Sequence, residues 1–256
     1  MEIAGKVAVV VGGASGMAKA SAELLAERGA TIAICDLPSS KGAEVADAIG
    51  GGATFHAMDV TDFEGVEKVL DEVVAHHGAL HIAVNTAGGG AGERTLSKDG
   101  TPHSLEKFQR TINLNLIGTF NLNRLQAAHM ARNEPEDEER GVIINTASIA
   151  AFEGQIGQVA YTAAKAGIAG MSLTMARDLG VVGIRVNAIA PSLFSTGITQ
   201  GIPDEFANVL TKDAAFPKRM GRPEEYGKLA VAIVENPMLN GGCIRLDAGQ
   251  RFAPKL

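Results

Sequence analysis

The chain has 256 residues, 46% apolar and 20% charged, a globular composition that at this length can bury a core without disulfide or metal staples. The formal charge of −6 with no basic stripe argues against a nucleic-acid partner, and no apolar run approaches a membrane span. With 4% aromatic residues and no Trp, the core must come from Ala, Val, Ile and Leu; Cys35 and Cys243 sit far apart in apolar runs and read as reduced core residues, with no metal site expected.

A strand pattern, Val7–Val11, begins almost at once, which leaves no room for a leader and makes a cytoplasmic protein the expectation. It runs straight into Gly12-Gly13-Ala14-Ser15-Gly16-Met17-Ala18 and a helical segment, Ala18–Arg28. Glycines let the backbone turn tightly against a pyrophosphate, and a helix N-terminus offers free N–H groups and the positive end of a dipole. The second strand, Thr31–Cys35, ends at Asp36-Leu37, and Asp36 lies 36 − 16 = 20 residues beyond Gly16. A carboxylate there accepts hydrogen bonds from ribose hydroxyls and repels a 2′-phosphate, so NAD is favoured over NADP. Read alone, Asp36 also suits a helix cap before Pro38-Ser39, and Lys41 is the nearest cation that would offset it. A third strand, Thr54–Met58, ends at Asp59-Val60, where a carboxylate can meet an adenine amino group. After a helix over Asp62–His77, a fourth strand, Ile82–Asn85, ends at Asn85-Thr86-Ala87-Gly88. It should lie beside the first strand, at the switch point where open α/β sheets bind ligands.

Gly88–Pro102 reads as a surface loop, and Ser104–Ala131 as one long helix. Asn115 sits on an otherwise apolar face of that helix, so its amide needs a carbonyl or a buried water. Asn133–Arg140 is acidic, contains Pro135 and reads as a solvated turn before the strand Val142–Thr146. Ser148 follows that strand, at the sheet edge where the cofactor crevice opens. Tyr161 and Lys165 are four residues apart in the helical segment Tyr161–Leu179 and so share a face. A free phenol titrates near pH 10, and an adjacent ammonium lowers that value toward a usable base. An isolated pair with this spacing is usually structural, and Ser148 is what changes that reading. A sixth strand, Arg185–Ile189, precedes Leu193–Pro217, whose glycines and apolar residues read as a substrate lid; packing of an amphipathic segment explains them as well. A helix over Pro223–Glu235 and a last strand, Cys243–Leu246, complete the chain. Continuous apolar strands alternating with helices predict one domain over 1–256. Its fold class is α/β: a Rossmann-like, doubly wound, seven-stranded, mostly parallel sheet with helices on both faces.

These motifs together resemble the short-chain dehydrogenase/reductase family over essentially the whole chain. The family's glycine pattern maps to Gly12, Gly16 and Ala18, its Asn-x-Ala-Gly segment to Asn85–Gly88, and its catalytic tetrad to Asn115, Ser148, Tyr161 and Lys165. The resemblance implies a hydride exchanged between NAD and a secondary alcohol or ketone, with Tyr161 moving the hydroxyl proton and Ser148 holding the oxygen. Lys165 would also bind the nicotinamide ribose, and Asn115 would anchor a water in a proton relay. Ser15 and Met17 of the first turn, and Pro191 and Thr196 after the sixth strand, would add cofactor contacts. Three positions depart from the pattern: Ala18 for a glycine, Val11 for a Thr before the first glycine, and Ser192 for a glycine after Pro191.

A closer resemblance is to the family's 3-hydroxyacyl-CoA dehydrogenase type 2 subgroup. It rests on Asp36-Leu37-Pro38, Asn145-Thr146-Ala147-Ser148, Ala151-Phe152-Glu153-Gly154-Gln155 and the segment Asn240–Asp247. It implies interconversion of 3-hydroxyacyl-CoA and 3-ketoacyl-CoA, a homotetramer, and a Gly88–Pro102 loop associated with CoA thioesters. Gln155 and Gln158 would face the substrate, although both also suit a helix surface. A hydroxysteroid or other secondary-alcohol dehydrogenase is the alternative, and a non-catalytic NAD-binding sensor or scaffold the remote one.

Overall fold

A computed structural model describes residues 1–90, 92–196 and 209–254. Seven strands form one sheet in the order β3-β2-β1-β4-β5-β6-β7: β1 Val7–Val11, β2 Thr31–Asp36, β3 Thr54–Ala57, β4 Ile82–Asn85, β5 Gly141–Thr146, β6 Ile184–Pro191 and β7 Cys243–Leu246. Every ladder is parallel, in keeping with the mostly parallel sheet expected.

Alternate side chains of each strand point to opposite faces, and both faces are covered. On one, Val10, Ile34, Val84 and Ile144 pack with α1 (Gly16–Glu27), α2 (Gly42–Ile49) and α7 (Pro223–Glu235). On the other, Val9, Cys35, Ala83 and Ile143 pack with α3 (Phe63–His77), α5 (Gly118–Met130) and α6 (Val159–Gly180). This is why the strands read as unbroken apolar runs. Cys35 is fully buried and Cys243 partly so, and both are free thiols.

Three expectations need correction. Helix α2 was not foreseen, because it is only eight residues long and lies between a Pro-Ser-Ser turn and a run of three glycines. The single long helix expected over Ser104–Ala131 is α4 (Leu105–Ile112), a π-turn (Asn113–Ile117) and α5 in succession. Propensity and period do not show a π-turn, which inserts one extra residue per turn and recurs at functional sites. The acidic Asn133–Arg140 segment is not simply solvated. Glu139 is nearly buried against Arg185, which also donates to the carbonyls of Ile233, Val234, Asn236 and Leu239 at the end of α7. A guanidinium there satisfies the orphan carbonyls of the helix terminus and needs a counter-charge.

The Gly88–Pro102 loop is largely exposed and closes on itself through a Leu96–Pro102 bridge. Residues 197–208, the centre of the expected lid, lie outside the described residues. The flanks of that stretch are anchored: Phe194 packs into the core, and Ala215 and Phe216 donate to the Ala248 carbonyl.

Candidate active site

A cleft of about 540 Å³ opens at the C-terminal ends of β1, β2 and β4. Its floor is the turn after β1, with Gly12, Ser15, Gly16 and Met17. Gly12 has φ +80, and a Cβ there would stand 2.7 Å from Thr86 Oγ1; Gly16 has φ +54, and a Cβ there would press on Thr196 at 3.0 Å. Only glycine fits both positions, so the backbone itself lines the cleft. Ser15 precedes α1 without capping it through its side chain, which leaves the first-turn N–H groups facing the opening. Thr86 Oγ1 donates to the Val11 carbonyl at 3.0 Å, so the hydroxyl lacking at position 11 is supplied from the neighbouring strand. Ala18 is buried under α1, where it serves packing.

Asp36 and Leu37 form the wall at the end of β2. The Asp36 carboxylate is fixed from both sides, accepting from Ala14 N at 2.9 Å and Leu37 N at 2.7 Å. Each oxygen keeps a further lone pair for a ligand hydroxyl. Asp59 and Val60 line the cleft beside Ala87 and Gly88; one Asp59 oxygen is taken by Thr61, through both its N–H and its hydroxyl. Thr86 of the Asn85–Gly88 segment lines it as well, and so do Thr61, Arg110 and Leu114, which no sequence motif singled out. Arg110 comes from the last turn of α4 and Leu114 from the π-turn that follows it.

Asn85 is the clearest departure from expectation. Its side chain turns into the core and not into the cleft, donating to Asn123, Gln126 and Asn145 and accepting from Gln126 Nε2 at 2.8 Å. A buried amide takes whatever partners its layer offers, and here those sit on α5 and β5. Pro191 ends β6, buried and paired in register with Leu246, and does not line the cleft; Thr196 does.

The structure brings the other four candidates together. Asn115 lies in the π-turn, fully buried, with its amide donating to Gly89 O at 2.7 Å and Thr111 O at 2.9 Å and accepting from Gly89 N at 3.1 Å. It therefore locks the Gly89 backbone to the helix, and the acceptors for its N–H groups are carbonyls. Ser148 caps a short helical turn, its Oγ accepting from Ala150 N at 3.1 Å, and its side chain is hydrogen-bonded to Tyr161. One helical turn on, the buried Lys165 donates from Nζ to Thr146 O at 2.8 Å. A Cβ on Gly88 would stand 2.6 Å from Asn115 Oδ1 and 3.3 Å from Lys165 Nζ, so the glycine admits both side chains.

Burial pushes the Tyr161 phenol up, and the Ser148 hydrogen bond pulls it partly back. Burial also pushes the Lys165 ammonium down, to about 8. The lowering of the phenol expected from the lysine is thus outweighed in the protein alone, because both groups lose water on the same helix face.

Gln155 lines a second groove of about 700 Å³, between Arg94 and Leu96 of the loop after β4 and the turn at Gly154–Gly157. Gln158 is turned away from it, bonding back to Gln155 N at 3.0 Å. Gln155 Nε2 in turn donates to Ala253 O, so the pair braces the C-terminal segment. No described helix is long and apolar enough to cross a membrane. Among the described residues no group of His, Cys, Asp and Glu could hold a metal ion.

The sequence profile of the short chain dehydrogenase family matches residues 6–206. The chain is 48% identical over 250 residues to 3-hydroxyacyl-CoA dehydrogenase type-2 of Drosophila melanogaster, covering 97% of this chain and 98% of that one. It is 48% identical over 254 residues to the Homo sapiens protein of the same name, covering 98% and 97%. The crystal structure of 3-hydroxyacyl-CoA dehydrogenase type-2 from Mycobacterium avium superposes with a TM-score of 0.94 at 42% identity, covering 98% of both chains.

Proposed function

The chain belongs to the short-chain dehydrogenase family and is an oxidoreductase, and we propose that it interconverts 3-hydroxyacyl-CoA and 3-ketoacyl-CoA with NAD as cofactor. The observation that carries this reading is the joining of Ser148, Tyr161 and Lys165 beside Gly88, one edge of a cleft whose far wall is a fixed carboxylate, Asp36. That arrangement is found in a chain nearly half identical to two 3-hydroxyacyl-CoA dehydrogenases.

The cleft fits a dinucleotide. Gly12 and Gly16 leave room for a pyrophosphate against the start of α1, Asp36 accepts from ribose hydroxyls, and its charge disfavours a 2′-phosphate. NAD bound there supplies the hydride acceptor in oxidation and, once reduced, the hydride donor in reduction. Ser148 holds the substrate oxygen, and Tyr161 gives it a proton in the reducing direction or takes one in the oxidising direction. Lys165 favours the phenolate and binds ribose hydroxyls, and Asn115 holds the loop that seats the ligand and anchors the proton relay. The raised phenol suits proton donation at neutral pH, and oxidation gains as the phenolate forms at higher pH.

The second groove supports the thioester. It starts beside Thr162, next to Tyr161, and runs under the loop after β4, with exposed apolar Leu96, Ile156 and Val159 along it. Those same apolar residues would take a steroid or another secondary alcohol, which is the second reading. Residues 193–217 would cover the substrate, within a single domain over 1–256. Exposed Leu105, Phe120 and Leu173 on α4–α6 suit burial in a homotetramer. The substrate is a small molecule, the −6 charge argues against a nucleic-acid partner, and a cytoplasmic enzyme without a membrane partner completes this reading.

The test is NADH consumption with acetoacetyl-CoA, beside NADPH and a steroid ketone. Fast turnover with acetoacetyl-CoA and NADH alone supports both assignments. Turnover with the steroid only would keep the Tyr161 chemistry and move the substrate to the second reading.

A further inference from the structure

A series of buried hydrogen bonds runs beneath the active site from α7 toward Lys165. Tyr226, on α7 and fully buried, has its hydroxyl 2.7 Å from Thr146 Oγ1. Thr146 Oγ1 lies 2.8 Å from the main-chain carbonyl of Asn85, at the end of β4. A carbonyl can only accept, so the single Thr146 hydroxyl proton goes to Asn85, and Tyr226 must be the donor to Thr146. The order is therefore Tyr226 O–H to Thr146 O–H to Asn85 C=O, each bond polarising the next. The Thr146 carbonyl accepts from Lys165 Nζ at 2.8 Å, and among the described residues it is the acceptor for that ammonium.

We propose that Tyr226 is a positioning residue for Lys165, acting through Thr146. The inference rests on the role given to Lys165 above. Thr146 is the last residue of β5, where ladder hydrogen bonds on one side give way to the open cleft. Its peptide is held by the Ala147 N–H on Ile189 O and by the side-chain hydroxyl that Tyr226 engages. The next residue after Asn85 is Thr86, a wall of the dinucleotide cleft, so the same chain also pins the β4 end.

Packing alone does not require the Tyr226 oxygen, since a phenylalanine fills nearly the same volume in this core without a buried polar atom to satisfy. What the hydroxyl adds is direction. Without it Thr146 Oγ1 loses its donor, the strand end can tilt, and the carbonyl that favours a charged Lys165 moves off Nζ. The surroundings of Nζ make that acceptor matter. On its own helix Lys165 faces the Tyr161 ring at 5.6 Å, and from the β4 side it meets Gly88 and the Asn115 amide. None of these is a carboxylate.

The test compares Tyr226→Phe, Thr146→Val and Thr146→Ser with the parent enzyme in the oxidising direction, reading the pH profile of kcat/KM, NADH affinity and Tm. In Tyr226→Phe and Thr146→Val the acid limb should move up by about half a pH unit or more, with turnover at pH 7 falling about 3- to 10-fold. NADH affinity should stay within about twofold of the parent, and Thr146→Ser, which keeps the hydroxyl, should restore the parent profile. A fall in Tm with an unmoved acid limb would mean a purely structural hydroxyl and overturn the proposal. If Tyr226→Phe does not fold, the Thr146→Val and Thr146→Ser pair decides by the same limb. Tyr161→Phe and Lys165→Met are run alongside. Retained turnover in those two would remove the catalytic reading itself, whereas their inactivity with an unmoved limb in the hydroxyl variants would sink only the role of Tyr226.

Discussion

Lys165 Nζ stands 5.6 Å from the centroid of the Tyr161 ring while donating to Thr146 O at 2.8 Å, so the ammonium is held by the sheet and presented to the phenol by the helix. Lys165 thus links the strand end, the Tyr161 phenol and the Gly88 edge of the cleft. Burial shifts both groups toward their neutral forms, although Lys165 at about 8 keeps its charge at neutral pH, and this makes the site sensitive to single changes of charge.

Tyr161→Phe removes the only proton-transfer group hydrogen-bonded to Ser148 among the described residues. Turnover should fall by about 10³-fold or more, while NADH still binds with an affinity close to that of the parent. Stopped-flow turnover together with fluorescence titration of NADH checks both. Substantial activity in this variant would disprove the assignment of Tyr161.

Lys165→Met should stabilise the fold while abolishing turnover. Burial holds the folded-state pKa at about 8, below the ordinary 10.5, so the unfolded chain binds this proton more tightly. The penalty is full below pH 8 and is relieved as pH rises from about 8 toward 10.5. At pH 7 the variant should gain on the order of 1 kcal/mol, and the gain should shrink above pH 9. Calorimetric Tm values at pH 7 and pH 10 measure this, and a gain that does not shrink would contradict the burial argument.

Asp36→Asn leaves one acceptor where Ala14 N and Leu37 N now share two, and removes the charge that faces a 2′-phosphate. The preference for NADH over NADPH should narrow by about tenfold or more, a change of about 1.4 kcal/mol. Ratios of kcat/KM with the two cofactors report it directly. An unchanged ratio would place cofactor choice elsewhere in the cleft.

Gly88→Ala forces a Cβ to 2.6 Å from Asn115 Oδ1 and 3.3 Å from Lys165 Nζ. Neither neighbour has a free direction to yield, because Asn115 is tied at both ends to backbone groups. A loss of about 1 to 3 kcal/mol in stability is expected, with turnover falling further than stability alone explains. Chemical denaturation beside turnover at a temperature where the variant stays folded separates the two.

Much of this protein was legible from the chain alone. Seven apolar runs at the right spacing specified the strands, because strands covered on both faces must be apolar at every position. Gly12, Gly16 and Asp36 marked a cleft at the strand ends, since a positive φ, a close backbone approach and a carboxylate at a strand end each demand particular residue types. Tyr161 and Lys165 announced their shared face through the helical period.

What the tertiary structure decided was the direction in which buried polar groups point. Asn85 belongs to a recognisable motif, yet its amide turns into a layer formed by Asn123, Gln126 and Asn145, residues brought to it by α5 and β5. The π-turn that holds Leu114 and Asn115 carries no period of its own in the sequence. The partner of Thr146 is Tyr226, 80 residues away, and no local pattern couples them. Apolar burial follows from a residue's own chemistry and its period, so the sequence determines it. A hydrogen bond needs a partner at a fixed distance and angle, and only the packed chain determines which partner arrives there.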